Sequence, residues 1–428
     1  MTRTDTETAT APGGFAAAYT LILLLLVNVI NYADRALLGI VVEPIRKELL
    51  LSDTEISIIS GFAFSLFFLV AAIGIARWVD RGNRRLILAI GVALWSAATA
   101  ATGHVEGFYS LAVCRMLIGV GEATVFPVAL SLLADLYPGP KLTRSVSIFQ
   151  ASSGIGIMIG SILAGVLAAT FGWRTMFEIF GAAGLVVVLL VAFTMRATPR
   201  LAGSGVKAED QGGLWAAIRS VWAIPGMPYL AMGYGASNMA LACLPVWSPA
   251  FLLRSHGVQL AEVGALVGPP AVLGGIAGGI LSGILATRLI QKTGNRAAGL
   301  IVPIIALPLA IPAYATFLFA PSLAIVVPAI AVMNFLLSSG LGACVALAVS
   351  LVASTQRGVT STVMLIVQNL LAFALGPLII GMVSDGLAPV YGEESLRFAL
   401  ATMLVAPLAA SIMLWVARGK IAGSPAAV

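Results

Sequence analysis

Apolar residues fall in long runs at about 16–39, 55–77, 86–103, 108–134, 143–170, 174–195, 227–253, 262–287, 297–318, 322–350, 358–384 and 395–417. Each run approaches or exceeds the roughly 20 residues a helix needs to cross hydrocarbon. Polar and apolar positions do not alternate within the runs, so the strands of a closed transmembrane barrel are excluded. The pattern predicts an all-α polytopic membrane protein of twelve spans. The narrowest separation is between spans three and four, where His104, Val105 and Glu106 interrupt.

Composition agrees. The 428 residues are 10% charged and 60% hydrophobic, with a mean hydropathy of +1.03. A soluble domain carries roughly 25% charged residues, so this chain cannot cover a soluble surface, and cytosolic enzymes and nucleic-acid binders are excluded. The net charge of +6 does not point to nucleic acid, because the cations sit in short loops between apolar runs. Cys114, Cys243 and Cys344 lie inside apolar runs without a pairing framework or metal-ligand spacing, and read as small packing residues. Neither a metal nor a cofactor is expected. The apolar stretch after the first 14 residues runs past signal-peptide length and reads as a retained first span.

Lys and Arg set the orientation. With the N-terminus inside, inner segments hold seventeen; the outer loops hold five, Arg46, Lys47, Arg174, Arg254 and Arg397. Both termini are therefore expected in the cytoplasm, of a bacterial inner (plasma) membrane. The longest connection, 196–226, separates a first bundle of six spans (1–195) from a second (227–428). It opens with Gly203, Ser204, Gly205, Lys207, Glu209 and Asp210, then runs Leu214, Trp215, Ile218, Val221, Trp222 at helical spacing with Arg219 on another face. This is either a short helix lying in the membrane interface or the tail of a linker entering span 7.

Between spans 2 and 3 stands Ala76-Arg77-Trp78-Val79-Asp80-Arg81-Gly82-Asn83-Arg84-Arg85. An acid at the inner end of one helix can dock against a neighbouring helix N-terminus and against Arg, forming a latch for an inner gate. The alternative is plain positive-inside topology. After span 8 the chain reads Gly283-Ile284-Leu285-Ala286-Thr287-Arg288 and then Gly294-Asn295-Arg296, with Thr287 where the acid would be. The loop resembles the signature of the major facilitator superfamily, and its two copies support a duplication of six plus six. The expected cytoplasmic gate is Asp80, Arg81, Arg84, Arg85 and Arg288. Within that superfamily the first half is similar to the spinster group of lipid transporters, through Asn31-Tyr32-Ala33-Asp34-Arg35 and Arg115-Met116-Leu117-Ile118-Gly119-Val120-Gly121-Glu122-Ala123. Anion:cation symporters of the superfamily share the Tyr-x-Asp-Arg and Arg-x-x-x-Gly-x-x-Glu-Ala patterns. The Gly-Pro pair of many drug:proton antiporters is missing from span 5, where Ser161 follows Gly160.

An ionisable residue near mid-span costs about 2.5–3.5 kcal/mol on insertion scales, so it faces a cavity or a partner. Asp34, Arg35, Arg115 and Glu122 are such residues. Arg115 and Glu122 are two turns apart on one helix face, and helical rise places Asp34 and Arg115 at similar depth. An Asp34–Arg115 pair with Glu122 deeper is expected. A buried carboxylate binds its proton more tightly through desolvation and less tightly beside Arg, so alternate exposure to two sides can load and release a proton. The spinster resemblance implies that Asp34, Glu122 and Arg115 form this coupling set, with the proton gradient as energy source. The plain alternatives are headgroup contact for Asp34, an untitrating structural partner of Arg115 for Glu122, and snorkelling for Arg35. Glu178 and Asp385 read as interfacial, and Asp135 as gate structure.

Spans 7–11 hold no central charge. Their internal polar groups are Tyr234, Ser237, Asn238, Asn334, Ser338, Ser339, Gln368 and Asn369. A pocket between the halves would be charged on one wall and mostly apolar on the other, which suits an amphiphile with a charged head and a hydrocarbon tail. The expected substrate contacts are Arg35, Arg115, Glu122, Tyr234, Asn238, Asn334, Gln368 and Asn369. Gly156 and Gly160 in span 5, and Gly274, Gly275, Gly278, Gly279 and Gly283 in span 8, suggest that these spans face each other across the seam. Gly233, Gly235, Pro245 and Pro377 could bend as an outer gate opens.

The reading that results is a secondary transporter working by alternating access. The resemblance implies proton-linked movement of a lysophospholipid or sphingolipid-like amphiphile by a monomer surrounded by membrane lipids. Symport of a small organic anion with protons is the rival. An enzyme lacks support, since the two histidines, His104 and His256, fall in outer loops, and no nucleotide-binding Gly-x-x-x-x-Gly-Lys-Ser/Thr loop is present.

Overall fold

The computed structural model describes residues 14–137, 139–195, 213–353 and 356–422. Among the described residues there is no strand. The helices are α1 Gly14–Glu48, α2 Asp53–Arg81, α3 Arg84–Thr102, α4 Phe108–Leu136, α5 Pro140–Phe171 and α6 Trp173–Thr194. Then follow α7 Gly213–Trp222, α8 Met227–His256, α9 Leu260–Thr293, α10 Arg296–Phe319 and α11 Leu323–Ser350. The last apolar stretch, Arg357–Ala422, has 66 residues. As one straight helix it would be about 100 Å long, three times the hydrocarbon thickness. It reverses at Gly392, whose φ of 54° lies in the left-handed region that glycine tolerates. This gives α12 (357–391) and α13 (395–422), with α12 packed on the first turns of α13. Each of the twelve expected spans thus has its helix. One runs long: α1 continues past residue 39 to Glu48, kinked at Val41, where Pro44 lacks an amide to complete the helical ladder.

Contacts near the helix ends fix the two faces. Tyr19 at the start of α1 donates to Thr194 at the end of α6 (2.6 Å). Arg85 at the start of α3 donates to the Met195 carbonyl (3.0 Å). Gly226, before α8, sits against Ala417 and Ile421 near the end of α13. The start of α1 and the end of α13 therefore lie on one face, the terminal face. On this face lies the helix α7. It buries Val221, packs on the start of α12, and accepts a hydrogen bond at Ser220 from Gln356 (3.4 Å). The polar stretch 196–212 ahead of it lies outside the described residues.

Helices α1–α6 meet α8–α13 where α1 packs on α8, α5 on α9 and α2 on α12. Glycines permit the backbones to touch. A Cβ at Gly39 would overlap the Pro245 carbonyl, one at Gly61 the Phe373 carbonyl, and one at Gly264 the Ser161 carbonyl. The span 5–span 8 contact is as expected, but other glycines make it. Gly156 and Gly160 press on Val29, Tyr32 and Ala33 of α1, while Gly274 and Gly278 meet Ala331 and Phe335 of α11. Gly279 and Gly283 have open space around them. Helices that cross at an angle touch over only a few turns and then diverge, so a glycine stripe cannot serve one seam along its whole length. At the α2–α12 seam both helices carry a π-helical turn, Ile58–Ala63 and Asn369–Leu375, and the two turns face each other. Such turns mark local departures from the regular ladder.

Gly264→Leu would drive a side chain into the Ser161 backbone. Spin labels at the exposed Glu106 and Glu393 should then move apart in a double electron–electron resonance measurement; an unchanged distance distribution would contradict a close-packed α5–α9 seam.

Candidate functional site

Between the two sets of six helices lies a cavity of about 340 Å³. From the first half Tyr32, Arg35, Phe64, Ser65 and Arg115 line it; from the second come Asn238, Pro245, Ser248, Asn334 and Phe373. Among the described lining residues the only charged ones are Arg35 and Arg115, so the wall from the second half is neutral. The predicted asymmetry is present in three dimensions.

Behind this wall the buried polar groups pair differently from the expected Asp34–Arg115 contact. Arg35 Nε donates to Glu122 Oε2 (2.6 Å), joining α1 to α4; the Glu122 side chain is fully buried and that of Arg35 is 29% exposed. Asp34 makes no ion pair with Arg115; its Oδ1 accepts from the Thr99 hydroxyl of α3 (2.9 Å). Consecutive helical residues point about 100° apart. Arg35 therefore faces α4 and the cavity while Asp34 faces α3, a difference of azimuth that matching depth does not reveal. Arg35 does not snorkel: its guanidinium carbon lies 4.9, 5.3 and 5.2 Å from the ring centroids of Tyr32, Phe64 and Phe68. Arg115 lies 5.2 Å from the same Phe64 ring, so one aromatic side chain contacts both guanidinium groups. Asp34 Oδ2 and Arg115 Nε are buried without a hydrogen-bond partner, which leaves the cluster able to accept further partners.

On the second half, Tyr234 donates to Gln368 (3.0 Å), whose amide donates to Asn238 Oδ1 (3.2 Å). Asn238 reaches the cavity; Tyr234 and Gln368 stand behind and orient it. Asn334 also lines the cavity but spends its amide on the Ile330 carbonyl of its own helix. Asn369 does likewise with Leu365 inside the π-helical turn and is not among the lining residues.

The expected gate residues divide. Arg84 is buried in an ion pair with Asp135 of α4 and also donates to Ser131, while Arg85 holds the end of α6. Both bind inside the first half. Asp80, Arg81 and Arg288 are exposed, and among the described residues Asp80 has no ion-pair partner.

Polar contacts join the halves on the face opposite the termini; the sequence reading named Arg254 and Asp385 among these residues but paired neither. Arg254 at the end of α8 donates to Glu43 of α1 (2.6 Å) and through both terminal nitrogens to Asp53 of α2 (2.8 and 2.7 Å). Ser384 of α12 donates to Asp53 (2.6 Å). Asp385, expected at the interface, instead accepts the backbone amides of Asp53 (3.0 Å) and Thr54 (2.8 Å) in the first turn of α2. A carboxylate there satisfies orphan amides and complements the helix dipole. Glu178 is half-buried and faces His104 at 3.5 Å. The available signal was the acids Glu43 and Asp53 flanking the same turn as Arg46 and Lys47, with Arg254 on the same side by topology.

Residues 24–377 match the family described as Major Facilitator Superfamily. The chain is 30% identical over 422 residues to an "MFS-type efflux pump" of Mycolicibacterium smegmatis (strain ATCC 700084 / mc(2)155), covering 97% of this chain and 96% of that protein. It is 27% identical over 404 residues to "Protein spinster homolog 1" of Xenopus tropicalis, covering 89% and 76%. Among solved structures it is similar to a bacterial homolog of the human lysosomal transporter spinster in an inward-facing, unoccupied conformation, with a TM-score of 0.85, 25% identity and coverage of 96% of this chain and 99% of that one.

Replacing Arg35 with Gln leaves the Glu122 carboxylate buried without its partner. Removing one member of a buried pair costs about 3–5 kcal/mol, and the partial exposure of Arg35 puts this case near the low end, roughly 3 kcal/mol. Thermal unfolding in detergent should show that loss in Arg35→Gln and recovery of most of it in the double variant with Glu122→Gln; additive losses would contradict the pairing.

Proposed function

This chain belongs to the Major Facilitator Superfamily and is a transporter resembling the spinster group, and from that premise we propose that it moves a lysophospholipid or sphingolipid-like amphiphile with protons by alternating access. The observation carrying this reading is the cavity wall: two guanidinium groups on one side, apolar and neutral polar groups on the other. The arginines would hold an anionic headgroup, with Asn238 and Asn334 as neutral polar contacts and the apolar remainder taking the tail. Glu122 and Asp34 would carry the proton, and Arg115 would bias their titration. A single chain encloses the whole cavity, so a monomer suffices.

Positive-inside orientation would put the terminal face in the cytoplasm. The contacts of Glu43, Asp53, Arg254 and Asp385 would then close the outside, and the state described would be inward-open, like the spinster homolog it resembles. Asp80, Arg81, Arg84, Arg85 and Arg288 would close the cytoplasmic side in the alternate state. The full-length similarity to an efflux pump supports transport across a bacterial plasma membrane, notwithstanding the missing Gly-Pro pair in span 5. A second reading, symport of a small organic anion with protons, is favoured by the modest cavity volume and its two arginines.

Two measurements test these roles. Purified protein in liposomes should take up labelled lysolipids in preference to small carboxylates, faster with a pH gradient, each unit of which supplies about 1.4 kcal/mol per proton. Glu122→Gln should lose the gradient-driven component while still folding, at a melting temperature lowered by the loss of the Arg35 partner; wild-type rates in that variant refute the coupling role. For the outer closure, a cysteine placed at the buried, cavity-lining Ser248 should be protected from an impermeant thiol reagent on the outside, and Arg254→Gln should expose it. Continued protection would dismiss Arg254 as a gate residue.

A further inference from the structure

The cavity lining is biased in hydrogen-bond sense as well as in charge. Four of its polar side chains come from four helices: Ser60 on α2, Ser161 on α5, Asn238 on α8 and Asn334 on α11. Each turns a donor back onto its own helix, to the carbonyl four positions earlier. Ser60 Oγ donates to Ile56 (2.8 Å) and Ser161 Oγ to Ile157 (2.7 Å). Asn238 Nδ2 donates to Tyr234 (2.8 Å) and Asn334 Nδ2 to Ile330 (2.8 Å). A hydroxyl whose hydrogen is spent can only accept, and an amide so placed keeps its carbonyl oxygen. The Asn238 oxygen accepts once, from Gln368 (3.2 Å), and has a second lone pair.

The backbone adds to this bias. Pro245 and Pro249 stand inside α8 and bring no amide hydrogen, so the Leu241 and Pro245 carbonyls lack the donor four residues on. Both residues line the cavity, and the Pro245 carbonyl lies against Gly39 of α1, another lining residue. Donors are concentrated in Arg35 and Arg115, which cannot accept. The hydroxyls of Tyr32, Ser65 and Ser248 can serve either way, and Asn334 keeps one further N–H. Among the described lining residues there is no carboxylate. An ammonium is therefore a poor source of hydrogens here, since it would share a cavity with two cations and no facing acid. Neutral hydroxyls supply hydrogens without charge. An aliphatic group set against the same oxygens would strip their water and return nothing.

We propose that the oxygens of Ser60, Ser161, Asn238 and Asn334, with the freed α8 carbonyls, form a hydroxyl-recognition site, so that the cavity selects anions carrying hydroxyl groups beside their charge. A site built to bond a hydroxyl rejects the analogue lacking it, because its buried acceptors are then left unpaired. This rests on the transport reading above and narrows its amphiphile to one with an anionic polyol head. A free hydroxy acid offers the same chemistry without a tail, and the probes below separate the two sources.

Calorimetric titration of the purified chain at one fixed pH compares two matched pairs. The first is a short-chain lysophosphatidylglycerol against the lysophosphatidylmethanol of equal tail, which keeps the phosphodiester charge but has no hydroxyl on its head. The second is glycerate against propionate, the same contrast without a tail. Lysophosphatidylglycerol should bind about tenfold more tightly than its partner, the worth of one or two neutral hydrogen bonds. Ser161→Ala and Asn334→Leu should each bring that ratio towards one; a ratio kept at the wild-type value in both variants overturns the assignment to these oxygens. The wild-type comparison stands even where a variant does not fold. Equal binding of the two lysolipids, or weaker binding of lysophosphatidylglycerol, overturns hydroxyl recognition and leaves the amphiphile reading intact. If neither lysolipid binds but glycerate binds more tightly than propionate, hydroxyl recognition holds and the amphiphile reading fails. Absence of binding by both hydroxyl-bearing anions overturns both.

Discussion

Charge inside hydrocarbon must be balanced locally, because neither water nor salt reaches it to screen. In this chain that constraint acts on four side chains between α1, α3 and α4. The Arg35–Glu122 pair ties α1 to α4, and the Asp34–Thr99 bond ties α1 to α3. Their directions decide which groups face the cavity: the two guanidinium groups come forward and the two carboxylates stay behind. Asp34 Oδ2 and Arg115 Nε remain without a hydrogen-bond partner.

The second half supplies the opposite surface. It holds its polar groups in a self-satisfied chain from Tyr234 through Gln368 to Asn238, or bonded to their own helix carbonyls. Hydrogen bonds completed within a half give nothing up when the halves move. What joins the halves is backbone contact at a few glycines and the ionic cluster around Arg254 and Asp53. A carboxylate on a helix N-terminus, seen in Asp385 on α2, is the same device expected at the other face for Asp80. In this structure that arrangement joins the halves on the face opposite the termini, while Asp80 has no ion-pair partner among the described residues.

Membership of a superfamily establishes the scaffold, and the chemistry still has to be argued from the site. The similarity to a spinster homolog solved inward-facing and to a full-length efflux-pump relative concerns the whole chain. Two arginines facing a neutral wall is the local feature that bears on what is carried.

Much was legible in the sequence alone. The twelve apolar runs determined the spans, since backbone amides in a bilayer have no solution but helix or closed barrel. The scarcity of charge within the runs picked out Asp34, Arg35, Arg115 and Glu122, and the absence of charge from spans 7–11 foretold the neutral wall. Helical rise speaks only to their relative depths. It could not give azimuth relative to neighbouring helices, so Glu122 found Arg35 and not the pairing first expected. The cluster of Glu43, Asp53, Arg254 and Asp385 was hidden for a related reason: its members are up to 342 positions apart in the chain, and each taken singly is an ordinary loop-end charge. Hydropathy is a property of one segment and can be read along it; pairings and seams depend on the relative rotation of segments, which only the packed tertiary structure fixes.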